Sequence, residues 1–565
     1  MKEQIENEHC ASLITDPRES VGTTRLTKTV TRREFFSYAG RTSAVILTAG
    51  TIGLPILGTV DAVAEAAEVG PLTARKRRRR AFQIRLQAAK YQRNLPLPEH
   101  PTNGDEERYV SRIGSYSKGL SHNDLGEVDL DAYDTLLQAM ASGVPGDFEA
   151  IPLGGTAKLA NPQAALAFQL EGADSHHLGT AAPPTFESEE QGGEMAEIYW
   201  HALARDVPFS QYGAEPITAA AVSDLAQFSN FTGVDAGNLF RGTTLGDLIG
   251  PYISQFLWKP IPYGPIRIVQ KYNTPIPGDD HMIDPGECLG VQRGFKPSAT
   301  SSIDPTPSYL RNARDLGEWV HRDFTYQGFL NAALILLSFG PDAVADSNPY
   351  KNLKVQAGFV TLGPADLLTM IAKVTDYAFR AVMYQKWSLH RRLRPEKFGL
   401  RVHNHLTQTA AYPIHDKLLN SVAVAQVVDW YGFFTLPMAY PEGCPTHPSY
   451  PAAHAAIAGA CVTVLKAFFK EDLVVPSPQV ASDDGLSLID YQEEVLTVGG
   501  ELNKLASNIA IGRDLAGVHW RSDGIEGLRL GEAVAIRALK DLKGTYNEDF
   551  SGFTLTKFDG TVIRI

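Results

Sequence analysis

Six segments in the second half of the chain carry apolar residues at helical spacing: residues 326–339, 363–394, 417–431, 453–470, 492–513 and 523–542. Several are apolar on more than one side. A helix with no polar face has to be enclosed by other helices. This predicts an all-α fold in which helices pack into bundles. Shorter helical patterns come earlier, at 133–142, 164–172, 194–205 and 218–231. Long polar or proline-marked stretches separate them, notably 172–193 and 263–307. Loops of that length in a compact domain are functional or wrap its surface. Strand signals are few, and the clearest is at the C-terminus. Residues 553–558 and 561–565 flank Asp559-Gly560, a turn pair that predicts a small β-hairpin.

A chain of 565 residues can bury a large core and hold more than one structural unit. Its patterning divides it into a leader over 1–66, an N-terminal helical region over 67–350 and a catalytic helical-bundle region over 351–565. The leader contains Thr31-Arg32-Arg33-Glu34-Phe35-Phe36, which resembles a twin-arginine export signal. An apolar run over 43–60 follows, then the small-residue patterns Ala62-Val63-Ala64 and Ala64-Glu65-Ala66. The run could serve as an uncleaved anchor, but Gly53, Pro55 and Gly58 dilute its hydrophobicity. The expectation is therefore a cleaved leader and a periplasmic or extracellular protein with no stable membrane association. The basic run Arg75–Arg80 opens a helix that Pro96, Pro98 and Pro101 terminate, and it reads as a solvated face. A net charge of -12 and a pI near 5.7 argue against a nucleic-acid partner. They leave room for a local basic cluster. Cys10 falls in the leader, and Cys288, Cys444 and Cys461 have neither metal-ligand spacing nor a readable pairing.

The chemistry concentrates in three short segments: Lys386 to Pro395 (KWSLHRRLRP), Pro445 to His454 (PTHPSYPAAH) and Arg513 to Asp523 (RDLAGVHWRSD). Together they supply a lysine, arginines and histidines suited to a tetrahedral oxyanion. An Arg fork binds such an anion bidentately, and Lys adds a mobile point charge. One imidazole can bond the central atom while another moves protons. Pro395 biases Arg394 away from helical geometry, which turns its side chain off the helix line. His454 stands at a predicted helix start, where free N–H groups favour an anion. Asp523, four residues after His519, can accept one imidazole N–H and fix the tautomer. His390, Arg391 and Arg392 read as a solvated helix face and are left out of the site.

These residues resemble the vanadium-dependent haloperoxidases, in particular the bromoperoxidase branch of algae and cyanobacteria, which are related to the phosphatidic-acid-phosphatase type 2 acid phosphatases. Lys386 with Arg394-Pro395, His454, and Arg513 with His519 and Asp523 match the three family motifs. KGLSHNDLGEVD from Lys118, IPLGGTAKLANPQAALAF from Ile151 and LFRGTTLGDLIGPYISQFLW from Leu239 extend the likeness over nearly everything after residue 75. The resemblance implies two four-helix bundles and one vanadate per chain. His519 would be the vanadium ligand. Lys386, Arg394, Arg513 and the Ala453 N–H would hold its oxygens. His454 would act as acid/base, Lys386 would polarise peroxide, and Asp523 and His447 would support the site. Hydrogen peroxide, a halide and an organic substrate would be the partners, and the chain would form a homo-oligomer. The sequence departs from the family at Pro451-Ala452-Ala453-His454, where Ser-Gly-His is usual, so one hydroxyl donor is lost. A phosphoric ester hydrolase on the same fold and a vanadate-independent homologue are the alternative readings.

Overall fold

The computed structural model describes residues 71–565, and Thr73–Ile565 forms one compact unit. The twin-arginine motif and the cleavage patterns lie outside the described residues. The longer helices, in chain order, are α1 (Ala74–Arg93), α2 (Leu130–Ser142), α3 (Glu189–Leu203), α4 (Pro216–Leu225), α5 (Ala313–Arg322) and α6 (Gln327–Ser338). They continue with α7 (Pro364–Met383), α8 (Pro395–Leu406), α9 (Val422–Tyr431), α10 (Ala453–Phe468), α11 (Val498–Leu515) and α12 (Arg521–Lys543). The described strands are confined to three two-stranded antiparallel hairpins. They are β1 (Ile261–Tyr263) with β2 (Ile266–Ile268), β3 (Gln479–Ala481) with β4 (Leu488–Asp490), and β5 (Thr554–Thr556) with β6 (Val562–Arg564). The last is the hairpin expected around Asp559-Gly560; the first two lie outside the sequence expectation. No helix among the described residues is long and apolar enough to cross a membrane.

Helix α10 is the axis of the C-terminal bundle. It packs against α12 over most of its length, and against α7 and α11. Every residue of α10 except His454 is buried. Each of its larger aliphatic side chains, Ile457, Val462, Val464 and Leu465, contributes roughly 1.5–3 kcal/mol on burial. The small residues of α10 and two glycines of α12 let the backbones approach closely. A Cβ built on Gly531 would lie 1.9 Å from the Ala456 carbonyl oxygen, and one on Gly527 would lie 2.7 Å from that of Ala452. This contact brings the first turns of α10 and α12 side by side, and those turns carry His454 and Asp523.

Several boundaries move from the sequence expectation. Residues 164–172 are not an α-helix: the chain makes a 3₁₀ turn over Pro162–Leu166 and then opens. Phe168 and Leu170 are exposed there, so the apolar spacing marks no buried face. The pattern over 417–431 breaks at Ser421, whose hydroxyl caps α9. The pattern over 363–394 also breaks, at Met383, where the α-helix widens into a π-helical stretch over Tyr384–His390. Cys288, Cys444 and Cys461 are all free and buried.

Candidate oxyanion site

The widened turn after α7 places Lys386 in the interior with no exposed surface. π-Turns inside helices concentrate at functional sites because the extra residue re-aims the side chains. Lys386 Nζ donates to the carbonyls of Pro448 at 2.7 Å and Ser449 at 2.6 Å, so its third proton remains for a ligand. The chain then reverses through Arg391, whose φ is 35°, and reaches Arg394 in an extended conformation (φ -95°, ψ 156°). A residue before proline is held in that region by the pyrrolidine ring. Arg394 therefore points back into the interior. Its Nε donates to the His447 carbonyl at 3.1 Å, and its terminal nitrogens reach His447 Nδ1 at 3.0 Å, the Val518 carbonyl at 2.6 Å and His519 Nε2 at 2.9 Å.

His519 is fixed from the other side. Its Nδ1 donates to Asp523 Oδ2 at 2.8 Å, which leaves the Nε2 lone pair free to accept from Arg394. Asp523 is itself fully buried and also accepts from the Trp520 N–H at 3.2 Å and from the Ser449 hydroxyl. Arg513 closes the pocket from the end of α11. It donates to the Val320 carbonyl at 2.7 Å and sits 5.6 Å from the Tyr440 ring centroid, while its buried Nε has no partner. His454, the second residue of α10, bonds Asp323 Oδ1 through Nε2 at 3.1 Å. The opening N–H groups of α10, Ala453 among them, have no acceptor within their own helix. Ala452 is the N-cap residue and offers no side-chain cap.

Burial and mutual repulsion set the electrostatics. Burial, with Arg394 and Arg513 nearby, pushes Lys386 well below the ordinary ammonium range, and Asp523 only partly opposes this. Burial also lowers His519 well below its usual value, helped by Arg394, Lys386, Arg513 and His454. Half-buried His447 is lowered too, by desolvation and by the charges of Lys386 and Arg394. The structure thus brings Lys386, Arg394, Arg513, His447, His454, Ala453, His519 and Asp523 into one pocket region.

Three residues read as solvated are interior. Arg391 pairs with Glu106, and His390 bonds Gln385 Oε1 and Thr180 Oγ1, each at 3.2 Å. Arg392 is fully sequestered: it bonds Asp523 Oδ1 at 2.8 Å, Glu194 Oε2 at 2.9 Å and Gln191 Oε1 at 2.7 Å. The reversal at Arg391 turns all three inward, and no helical period could reveal it. Arg392 thereby anchors the carboxylate that orients His519. Asp323 and the Val320 carbonyl also belong to the site, from the end of α5, more than 60 positions upstream of Lys386.

Among the described residues, no carboxylate pairs with Lys386, Arg394 or Arg513, although all three are buried. Unpaired buried cations are costly unless an anion offsets them. With an orphaned guanidinium N–H and an open helix N-terminus, they fit a tetrahedral oxyanion such as vanadate or phosphate. The site is therefore that of a helical-bundle protein in which buried cations gather beside a histidine. The profile of the VCPO second helical-bundle domain matches residues 370–548. The chain is 36% identical over 522 residues to a vanadium-dependent bromoperoxidase of Ascophyllum nodosum, covering 83% of this chain and 93% of the relative. It is 35% identical to one from Corallina pilulifera, covering 86% and 98%. The homohexameric second vanadate-dependent bromoperoxidase of A. nodosum superposes with a TM-score of 0.83 at 30% identity, over 93% of this chain and 95% of that one. The chain belongs to the vanadium-dependent bromoperoxidase family.

Proposed function

We propose that this protein is a vanadium-dependent haloperoxidase that uses hydrogen peroxide to oxidise a halide, bromide in the first place, to a hypohalous species. One observation carries the reading: Lys386, Arg394 and Arg513 are buried with no paired carboxylate, and Arg394 donates to the unprotonated Nε2 of His519. Vanadate, one per chain, would be held by His519 Nε2, the three cations and the Ala453 N–H; when bound it supplies a Lewis-acid centre that activates peroxide toward halide. Asp523 keeps His519 in the tautomer that presents Nε2. His454, steadied by Asp323, would serve as the acid/base that accepts a proton from peroxide and returns one. The remaining Lys386 N–H would donate to peroxide and polarise it. Arg513, fixed on the Val320 carbonyl, balances charge through the cycle.

The structural relative is a homohexamer, which supports a homo-oligomer here. We also propose that residues 1–66 direct export by the twin-arginine route and are removed after Ala64 or Ala66, on the motif Arg32-Arg33 and the small residues that follow. N-terminal sequencing of exported protein that returned residues before Ser43 would overturn this. The function is tested by stripping the protein of anions, reconstituting it with vanadate and measuring bromination with peroxide. His519→Ala should abolish it. Lys386→Ala, Arg394→Ala and Arg513→Ala should each weaken vanadate about ten- to a hundredfold, since a bond to a charged group is worth about 1.5–3 kcal/mol. Free phosphate should compete. Wild type that retains vanadate no better than His519→Ala would refute the reading, and phosphate ester hydrolysis in its place would mark a phosphatase.

A further inference from the structure

The last turn of α5 meets the oxyanion pocket at two places. The Val320 carbonyl accepts from Arg513 at 2.7 Å, and Asp323 Oδ1 bonds His454 Nε2 at 3.1 Å. Between them stands His321. Its ring lies flat on that of Tyr440, with centroids 3.8 Å apart and planes 12° from parallel. Tyr440 is buried, and its hydroxyl donates to the Gly317 carbonyl of α5 at 2.5 Å. Its ring centroid is 5.6 Å from the Arg513 guanidinium carbon. The three side chains form a row that ends at the pocket.

Both nitrogens of His321 are taken by carboxylates. Nδ1 bonds Glu318 Oε2 at 3.1 Å, and Nε2 bonds Glu442 Oε1 at 2.7 Å. An ionised carboxylate only accepts, so each ring nitrogen carries a proton and the ring is an imidazolium. Burial opposes that proton, but Glu318 and Glu442 outweigh it and raise the imidazole above its usual value. The two acids are themselves placed. Glu318 also accepts from Arg322 Nε at 2.9 Å. Lys118 fixes the backbone of Glu442: its Nζ donates to the Glu442 carbonyl at 2.7 Å and pairs with Glu396 at 2.9 Å. His321 therefore ties α5 to the segment that carries Tyr440, and its charge favours the aromatic face beneath it.

Arg513 needs such support. A guanidinium presents its N–H donors in one rigid plane. One terminal nitrogen holds the Val320 carbonyl, and the buried Nε has no partner. A bond from one terminal nitrogen leaves that plane free to turn. The Tyr440 ring removes the freedom. With one face covered by His321, the ring has its other face or its edge for the guanidinium, so a shift of His321 moves the surface against which Arg513 rests.

We propose that His321 and Tyr440 are positioning residues of the oxyanion site that act through Arg513. His321, clamped between Glu318 and Glu442, holds Tyr440 against the guanidinium and so sets the direction in which its free N–H meets the anion. The inference rests on the oxyanion reading of the pocket and adds to it the support of one cation.

A double-mutant cycle tests it, because a residue that works through Arg513 has no further effect once Arg513 is gone. In equilibrium dialysis of the anion-stripped protein, His321→Ala should weaken vanadate about tenfold. Glu442→Ala, at a half-exposed position, should weaken it about threefold. His321→Phe, which keeps a flat ring on Tyr440 without the carboxylate bonds, should bind between His321→Ala and wild type. In the Arg513→Ala background each of these losses should shrink to less than about twofold. Inorganic phosphate should follow the same order. Should His321→Ala not fold, the Glu442→Ala arm decides alone. Losses that persist in full without Arg513, or wild-type affinity in His321→Ala and Glu442→Ala, overturn the positioning role. Wild type that binds neither vanadate nor phosphate overturns the oxyanion reading itself.

Discussion

Lys386 shows how a single residue couples the site to pH. In the free protein burial, with Arg394 beside it, pushes its ammonium well below the ordinary range. A bound anion stabilises the ammonium and moves it back toward that range. At a pH where Lys386 titrates, binding should therefore take up a proton, and oxyanion affinity should weaken as pH rises. Calorimetry of phosphate or vanadate binding in two buffers of different ionisation enthalpy measures the proton count. Comparison with Lys386→Met removes the anion's own titration. An equal count in both proteins would show that Lys386 stays charged throughout. Ala452 is the second residue of interest. As an uncapped N-cap, it leaves both the helix and the anion short of one hydroxyl. Ala452→Ser should tighten vanadate about two- to tenfold, from a hydrogen bond worth about 0.5–1.5 kcal/mol. Serine can also cap α10, worth typically about 1 kcal/mol. A Tm gain without vanadate and no gain in affinity would show that the hydroxyl caps the helix and does not reach the anion.

At the scale of elements, the site depends on how closely α10 and α12 approach. Gly531 has no room for a Cβ, because the nearest obstacle is backbone rather than a flexible side chain. Gly531→Ala should destabilise the protein by about 1–3 kcal/mol as overpacking, despite the better helix propensity of alanine, which favours it by about 1 kcal/mol. Because the same crossing aligns His454 with Asp523, vanadate affinity should fall with it. Urea unfolding and equilibrium dialysis on the variant test both effects. Unchanged stability would mean that the two helices can slide apart at no cost. The end of α5 is the other element that matters, since it ties Arg513 through the Val320 carbonyl and His454 through Asp323.

For the molecule as a whole, buried neutral histidines set the acid limit. Desolvation lowers His201 to about 4, and His390 to about 3, where the charge of His100 adds to the effect. Unfolded imidazoles titrate near about 6.5. Between that value and the folded one, the unfolded chain binds more protons, so stability is present above about pH 6.5 and is lost as pH falls. Each such histidine contributes a slope of about 1.4 kcal/mol per pH unit in that window. Urea unfolding at pH 7.5 and 5.5 should show the loss, and His201→Phe, which keeps a ring against Phe240, should make it shallower. An identical slope in that variant would mean His201 is protonated in the native state.

The amino-acid order alone determined the helical class, because segments apolar on several sides can only be buried among helices. It also determined the C-terminal hairpin, through the turn preference of Asp-Gly, and the extended Arg394, through the ring of Pro395. The eight candidate residues were legible because their types and order are local properties of three short segments. Arg392, Asp323 and the Val320 carbonyl were not. Arg392 depends on a chain reversal after a π-turn, which shifts side chains out of any regular period. Asp323 and Val320 meet their partners only across more than a hundred positions of sequence. Burial, and the pKa changes that follow from it, arise from what surrounds a group in space, so only the packed bundle could decide which buried cations lie without a paired carboxylate.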